Sequence, residues 1–247
     1  ALQDAQKKQA ASTQVEKSTL LKQTQGQEKL FQEAVAKKRA DAAKIRNRIF
    51  TVLGGGQMTF EQAYNFAKIA EGGTGTPAAF LLAILNRESR LGANVGRCYY
   101  KTAMAPGPPK SKRDDVTPFL KITAELGLDP ETTVVSCANA DGAYGGAMGP
   151  SKFIKTTWML YRERIAAVTG NSPANPWNNL DAFTGTALYI KDAMNRCGGG
   201  ATDAGFRAAA SAYYSGSCTR HAWTYGEATN VQRKQFEEDI AAITTPG

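Results

Sequence analysis

The sequence predicts a mainly α-helical protein of 247 residues, and three observations support this fold class. Apolar residues recur at three- and four-residue intervals through most of the chain, which is the period of an amphipathic helix. Candidate N-cap residues and glycine or proline breaks divide these stretches into separate helices. Sustained alternation at period two, which would indicate strands, is scarce. A small β-hairpin near Val134–Tyr144 is the one exception that the pattern allows.

The N-terminal segment, residues 1–53, differs in composition from the rest. Residues 1–48 hold eleven Lys and Arg against five Asp and Glu, so six of the eight net positive charges lie there. Apolar residues at alternating four- and three-residue steps form a heptad seam, which predicts a long helix or coiled coil that packs on a partner helix or on the next domain. Before Phe31 the seam positions become polar, which predicts a weak helix or a mobile tail. The seam consists of Phe31, Val35, Ala42, Ile45, Ile49 and Val52, interrupted by Lys38.

Several partners fit this basic segment. Its charge suits anionic wall polymer, phospholipid headgroups or nucleic acid, and a solvated helix face is the simpler reading. We expect no nucleic-acid role, and we expect a protein partner or self-association through residues 31–52, with inhibition of a neighbouring cleft as another option. No apolar run is long enough to cross a membrane. The chain begins with Ala1 rather than methionine, which is compatible with the removal of a leader or lipid anchor.

Gly54-Gly55-Gly56 ends the seam and predicts the boundary of a second domain, residues 57–247. Thr59 is a candidate N-cap for a helix over Phe60–Ala70, and Thr76-Pro77 opens another that runs through Leu85. The segment from Pro106 to Pro109 is too rich in proline to be helical. Further helices are predicted over residues 116–127, 151–169, 180–196, 208–214 and 230–243.

Four cysteines, all in the second domain, predict two disulfides and therefore an oxidising compartment. No CxxC spacing occurs and His221 is the only histidine, so we expect no metal site. Three pairings are possible, and the local one, Cys98–Cys137 with Cys197–Cys218, is favoured. Four free buried thiols are the other interpretation.

Several reaction classes are excluded by missing motifs. The chain has no Gly-rich P-loop, and no GxGxxG follows a strand-like run, so no nucleotide cofactor is expected. A Ser–His–Asp or Cys–His centre would need His221, which lies in no recognisable nucleophile motif. Carboxylates are therefore the credible catalytic groups.

Glu88 is the best candidate among the carboxylates. It follows an apolar helical run at residues 80–85 and lies near the predicted helix end at Gly92. Partial burial and the helix-end carbonyls should both disfavour its negative charge and raise its pKa, as a general acid near neutral pH requires. The competing interpretation is a surface glutamate paired with Arg87 or Arg90.

Four segments in order resemble motifs of the lysozyme-like lytic transglycosylases, and most closely those of the B-type membrane-bound enzymes and their secreted relatives. Phe80–Gly92, with its Glu-Ser pair, resembles the catalytic helix, and Gly145–Ile154 resembles the Gly-Ala-Met-Gly-x-x-Gln-Phe segment. Asn175–Ala182 carries a similar tryptophan turn and Asp-Ala pair. Ala212–Gly216 resembles the Ala-Tyr-Asn-x-Gly element, and Tyr225 falls where the family has another tyrosine.

This resemblance covers roughly residues 58–243 and implies a lysozyme-like helical catalytic domain with its chemistry. Glu88 would protonate the glycosidic oxygen between N-acetylmuramic acid and N-acetylglucosamine in peptidoglycan, and then accept the proton of the muramic acid 6-hydroxyl as a 1,6-anhydro ring closes. Neither metal nor cofactor is needed, and a second carboxylate is dispensable, unlike in most glycosidases. Asp141 is the candidate for such a second carboxylate, whereas Asp181 is expected to cap a helix.

The resemblance also implies substrate-binding residues, each of which has core packing as its competing interpretation. Lys152 replaces the family's glutamine and Tyr214 replaces its asparagine, so substrate orientation is expected to differ there, because lysine only donates hydrogen bonds and tyrosine has one hydroxyl. The implied set is Ser89, Gly146, Ala147, Met148, Lys152, Phe153, Tyr213, Tyr214 and Tyr225.

Two other functions compete with a lytic transglycosylase. A muramidase-type hydrolase of the same fold would need an ordered water and a second carboxylate such as Asp141. A catalytically inert wall-binding scaffold would keep the fold without turnover. All three place the protein at the cell envelope, either periplasmic or secreted.

Overall fold

The computed structural model describes residues 13–34, 37, 58–104, 114–138 and 145–244. The chain divides into two compact units between Arg48 and Ile49. The predicted boundary at Gly54–Gly56 lies outside the described residues and stays a prediction. Of the described chain, the part that belongs to the second unit is mainly helical, so the predicted fold class is confirmed.

The first unit contains helix α1, which covers residues 13–34. The polar seam positions predict a weak helix or a mobile tail here, and the structure shows a continuous helix. The helix exposes several large apolar side chains, namely Val15, Leu20, Leu21, Leu30 and Phe31. Apart from Phe31, the residues of the predicted heptad seam lie outside the described part of the chain, so the coiled coil stays a prediction.

The described residues of the second unit form eight α-helices and one π-helical turn. Six of the seven predicted helical segments match an α-helix to within four residues at each end, and α8 is the exception. The nine elements of the described second unit are, in chain order, α2 (Phe60–Thr74), α3 (Ala78–Ser89), α4 (Tyr100–Ala103), α5 (Val116–Glu125), α6 (Lys155–Thr169), α7 (Asn179–Cys197), α8 (Asp203–Ser215), the π-helix (Ala222–Gly226) and α9 (Glu227–Thr244).

Local capping explains where the helices begin. Thr59 and Gln62 form a reciprocal capping box at the start of α2, which confirms Thr59 as its N-cap. At α7, the side chain of Asn178 accepts the Asp181 amide, so the expectation that Asp181 caps a helix is wrong. Thr202 caps α8 and starts it five residues before the predicted position.

The predicted hairpin near Val134–Tyr144 does not form as such in the described part of that segment. Val135 pairs with Cys98 in an isolated bridge instead. The Ser136 amide donates to the Ala147 carbonyl at 2.9 Å, and the Gly146 amide donates to the Ser136 carbonyl at 2.7 Å. Short local pairings of this kind replace a regular strand pair.

Helix α3 lies at the centre of the second unit. Its residues 78–85 are all buried, so the helix has no solvent-facing side along this stretch. It packs against α9, α2 and α7. The Phe80 ring lies 4.7 Å from the Phe206 ring of α8, centroid to centroid. This enclosure fixes the C-terminal end of α3, where Glu88 lies.

Both favoured disulfides are present, Cys98–Cys137 and Cys197–Cys218. They connect residues 39 and 21 positions apart. In the chain-entropy model, each loop contributes about 3–4 kcal/mol to the free energy of unfolding. Among the described helices, none combines the length and apolar character that a membrane crossing requires.

Candidate active site

The end of α3 presents Glu88 by means of an unusual turn. Arg90 and Leu91 both adopt left-handed backbone conformations, with φ of 52° and 54°. The Ser89 hydroxyl accepts the Gly92 amide at 2.9 Å and donates to the Leu85 carbonyl at 3.3 Å. Ser89 is buried, with 1% of its surface exposed. It therefore shapes the turn, and the expectation that Ser89 contacts substrate is not supported by its position.

Tyr225, in the π-helix, is the direct partner of Glu88. Its hydroxyl donates a hydrogen bond of 2.6 Å to Glu88 Oε1. The Tyr214 ring stacks on the Tyr225 ring at 4.6 Å between centroids, and the Arg87 guanidinium lies 4.7 Å from the centre of the same ring. These contacts hold the tyrosine hydroxyl against the carboxyl group.

Burial dominates the electrostatics of Glu88. Loss of solvation raises the pKa of its carboxyl group. The hydrogen bond from Tyr225 and the positive charges of Lys152 and Arg87 act in the opposite direction but do not cancel this effect. The side chain therefore keeps its proton to a higher pH than an ordinary glutamate. Its partner Tyr225 also has a raised pKa, mainly through burial, so its hydroxyl stays neutral and can donate.

A cavity of about 220 Å³ opens beside Glu88. Aromatic and apolar side chains dominate its wall, as is usual for a small-ligand site. The structure brings the predicted residues Lys152, Phe153, Tyr213 and Tyr214 together with Glu88 here. The full lining is Glu88, Lys152, Phe153, Ile154, Thr157, Tyr189, Tyr213 and Tyr214.

The turn between Met148 and Phe153 forms one wall of the cavity. The backbones of these two residues exchange hydrogen bonds of 2.9 and 3.0 Å, which closes the turn. Gly149 has φ of 63°, and a Cβ atom there would lie 1.8 Å from the Pro176 carbonyl oxygen. Only glycine fits this position, because the protein backbone itself approaches so closely.

Three predicted binding residues of this region do not line the cavity. Met148 is fully buried in the core, because its turn points the side chain inward. Gly146 is also buried, and its carbonyl accepts a hydrogen bond from inside the protein. Ala147 is half-buried, and its amide donates to the Ser136 hydroxyl at 2.9 Å. These three residues help to position the turn, and the direct substrate contacts expected of them stay a prediction.

A buried ion pair that the sequence did not reveal supports the same turn. Lys155, at the start of α6, is fully buried, and its ammonium lies 3.4 Å from a carboxylate oxygen of Asp115, which is 3% exposed. The ammonium also donates to the Gly146 carbonyl at 3.0 Å. The pair thereby anchors the turn region to the helices beneath it.

Tyr213 is fixed by a chain of hydrogen bonds. Its hydroxyl donates to the Ser151 carbonyl at 2.7 Å. The Ser151 hydroxyl donates to the Ala182 carbonyl at 2.7 Å and accepts from Thr186 at 2.6 Å. Burial raises the pKa of the Tyr213 hydroxyl well above its ordinary value, so it remains a neutral donor. Its ring meets the Tyr189 ring edge-on at 5.4 Å.

Of the other two aspartates singled out by the sequence, one lies in the described part of the chain. Asp141 lies outside the described residues. Asp181 is fully buried, and its carboxylate accepts hydrogen bonds from the Asn171 side chain at 2.9 Å and the Asn175 amide at 2.8 Å. Asp181 thus stabilises the loop before α7.

A family model described as a transglycosylase SLT domain matches residues 1–231. Among proteins of curated function, none matches this chain.

Solved structures of lytic transglycosylases are also similar to this chain. The soluble lytic transglycosylase SltB1 from Pseudomonas aeruginosa aligns with a TM-score of 0.41 and 26% identity, over 52% of this chain and 42% of that one. The Escherichia coli lytic transglycosylase Slt35 aligns with a TM-score of 0.41 and 20% identity, over 62% of this chain and 48% of that one. The match thus spans less than half the length of either structure.

Proposed function

This chain belongs to the family of transglycosylase SLT domains, and from that premise we propose that it is a lytic transglycosylase that cleaves the glycan strands of peptidoglycan. The resemblance inferred from the sequence motifs is thereby confirmed at the level of the family. The observation that carries the proposed activity is Glu88, a half-buried carboxyl with a raised pKa that borders an aromatic cavity. A carboxyl group that holds its proton near neutral pH is what a general acid requires.

In the proposed reaction, Glu88 begins protonated and gives its proton to the glycosidic oxygen between N-acetylmuramic acid and N-acetylglucosamine. The bond from that oxygen to the muramic acid C1 breaks, and the N-acetylglucosamine side leaves as an alcohol. The muramic acid 6-hydroxyl oxygen then bonds to C1, and its proton returns to Glu88. The carboxyl group ends as it began, and no water is consumed.

Tyr225 has a defined role between the two proton transfers of the proposed reaction. While Glu88 is ionised between the two proton transfers, the Tyr225 hydroxyl donates to its carboxylate at the observed contact. A hydrogen bond to an ionised acceptor is stronger than one between neutral groups. Tyr225 therefore stabilises the short-lived carboxylate and holds it in place through Oε1.

The cavity wall supports a role for four predicted residues in sugar binding. Phe153, Tyr213 and Tyr214 offer aromatic surface to a sugar ring, and Lys152 offers a donor. The hydroxyl of Tyr213 is already committed to the Ser151 carbonyl, so its ring is the part that is available. These four residues are our proposed substrate contacts.

Peptidoglycan lies outside the cytoplasmic membrane, and the two disulfides fit an oxidising compartment. We therefore place the proposed activity at the cell envelope, in the periplasm or after secretion. The exposed apolar side chains of α1 and the predicted seam at residues 31–52 support self-association or a helical protein partner for the N-terminal unit.

The products from purified peptidoglycan test the proposed reaction. After incubation with the full chain, mass spectrometry should find muropeptides that end in 1,6-anhydro-muramic acid. Products heavier by one water, with free reducing ends, would instead establish a hydrolase. Binding without any product would establish a wall-binding scaffold.

The Glu88–Tyr225 contact predicts a pH dependence. Because the acid must be protonated, kcat/KM should fall as the pH rises through the pKa of Glu88. Burial raises that pKa, so activity should persist to a higher pH than an ordinary glutamate allows. In Tyr225→Phe the carboxylate loses its donor, so the pKa should rise further and the alkaline limb should move to higher pH.

The measurement is kcat/KM against pH for the wild type and Tyr225→Phe, with Tyr189→Phe as the control. Tyr189 lines the same cavity, but Tyr225 is the residue whose hydroxyl contacts Glu88. The control should leave the alkaline limb in place. A limb that stays or moves to lower pH in Tyr225→Phe would show that the contact does not tune the acid.

A further inference from the structure

We propose that Lys152 forms an anion-binding subsite beside Glu88, which binds a carboxylate carried by the muramic acid side of the substrate and so selects charged glycan strands over neutral ones. This inference rests on the proposed function and adds to it the chemical class of strand that the cavity prefers.

The backbone of Lys152 is the first observation. Lys152 has φ of 51°, a left-handed conformation that side-chain-bearing residues rarely adopt. Strained positions of this kind persist where the surroundings hold them, and they cluster at ligand sites. Here the paired backbones of Met148 and Phe153 close the turn and hold it. The residue with this strained backbone is also one whose side chain lines the cavity.

The second observation is that the Lys152 ammonium group forms no ion pair with a described residue. Lys152 is half-buried, yet within the described part of the chain no carboxylate oxygen lies within 4.0 Å of its nitrogen. The nearby Lys155 shows the usual solution, because it is buried against Asp115. Partial burial disfavours the charged form and lowers the pKa of Lys152, and the opposite influence of the Glu88 carboxylate does not cancel this effect. An anionic ligand would supply the missing partner.

The remaining lining residues sharpen this argument. Among the described residues that line the cavity, Lys152 is the sole cation, and Glu88 is the sole carboxyl group. Glu88 has a raised pKa, so in its protonated working form it does not neutralise the lysine. With Glu88 protonated, the ammonium form of Lys152 is therefore the one formal charge among the described residues that line the cavity.

Carboxylates on the substrate could meet this charge from two sources. In peptide-free strands, muramic acid carries a free lactyl carboxylate, while in peptide-bearing strands the stem peptide supplies carboxylates. A polymer of N-acetylglucosamine alone has neither. A charge-assisted hydrogen bond from lysine to either carboxylate would favour the muramyl substrates.

Binding in a Glu88→Gln background tests the subsite without turnover. Isothermal titration calorimetry would measure Kd for four probes of equal glycan length: a peptide-free muramyl glycan, the same glycan with its lactyl groups converted to carboxamides, a peptide-bearing glycan, and a chito-oligosaccharide. At least one carboxylate-bearing probe should bind about tenfold tighter than the neutral carboxamide probe, a factor expected for one charged hydrogen bond. The lactyl or peptide arm that shows the gain identifies the source.

Adding Lys152→Gln should remove this preference, and adding Lys152→Arg should largely keep it, because arginine retains the charge. Thermal melting checks that all variants are folded. The subsite would be overturned if neither the peptide-free muramyl glycan nor the peptide-bearing glycan binds more tightly than the carboxamide probe. A loss on Lys152→Gln that is equal for all four probes would also overturn it. If the wild type yields anhydro products while the preference is absent, the proposed function stands and the subsite alone fails.

Discussion

Replacing Glu88 with Gln should lower kcat on purified peptidoglycan by about 10²- to 10⁴-fold, the range that general acid–base catalysis contributes. Glutamine has nearly the same shape and can still accept the Tyr225 hydrogen bond, but it cannot transfer a proton. The cavity and the end of α3 should therefore keep their geometry. The measurement is the initial rate of muropeptide release, with glycan affinity determined separately.

Glu163→Gln is the matched control for this variant. Glu163 lies on α6 with 82% of its side chain exposed and a surface contact to Arg162. Its substitution should leave kcat unchanged, because Glu163 is not among the residues that line the cavity. Both variants should melt at the wild-type temperature. Wild-type turnover by Glu88→Gln would assign the proton transfers to another group and would remove the basis of the proposed mechanism.

Replacing Lys155 with Met should produce the largest loss of stability, about 3–5 kcal/mol, the cost of removing one partner from a buried ion pair. The Asp115 carboxylate would remain buried without the ammonium 3.4 Å away. The Gly146 carbonyl would also lose a donor. For a domain of this size, Tm should fall by roughly 10 °C. Activity below the melting transition should fall as well, since the same region positions Lys152 and Phe153.

Two comparison variants separate burial from charge. Lys68→Met breaks an exposed ion pair with Glu71 on α2 and should cost less than about 1 kcal/mol. The double variant Asp115→Leu with Lys155→Met removes both buried charges and should recover part of the stability lost in the single variant. Unfolding in urea measures all three changes. A Lys155→Met loss as small as that of Lys68→Met would mean that the buried pair contributes little.

Local signals in the sequence predict most of the helices. The capping box at Thr59 and the apolar run of α3 depend on residues within a few positions of each other, so they can be recognised without the fold. The position of Glu88 at the end of a buried helix follows from the same local pattern. Helix α6 begins four residues after the predicted start, because the chain first makes a turn with positive φ at Gly149 and Lys152.

Local signals in the sequence do not predict contacts between distant segments. The sequence places Glu88 and Tyr225 in related motifs, but not the hydrogen bond that joins them across 137 positions. Met148 and Ser89 belong to recognisable motifs, yet their side chains are buried. A lysine near a helix start is normally solvated, so nothing local distinguishes Lys155 as the buried partner of Asp115.

Glu88 and Tyr225 are far apart in the sequence, so the candidate active site can form only late in synthesis of the chain. Glu88 leaves the ribosome long before the π-helix and α9 that complete its surroundings, and closing so long a loop comes late in folding. An unfinished or C-terminally truncated chain would carry the acid but lack the Tyr225 hydroxyl and the α9 packing around α3. In the proposed reaction, a chain that ends before the π-helix would therefore lack the donor that stabilises the Glu88 carboxylate.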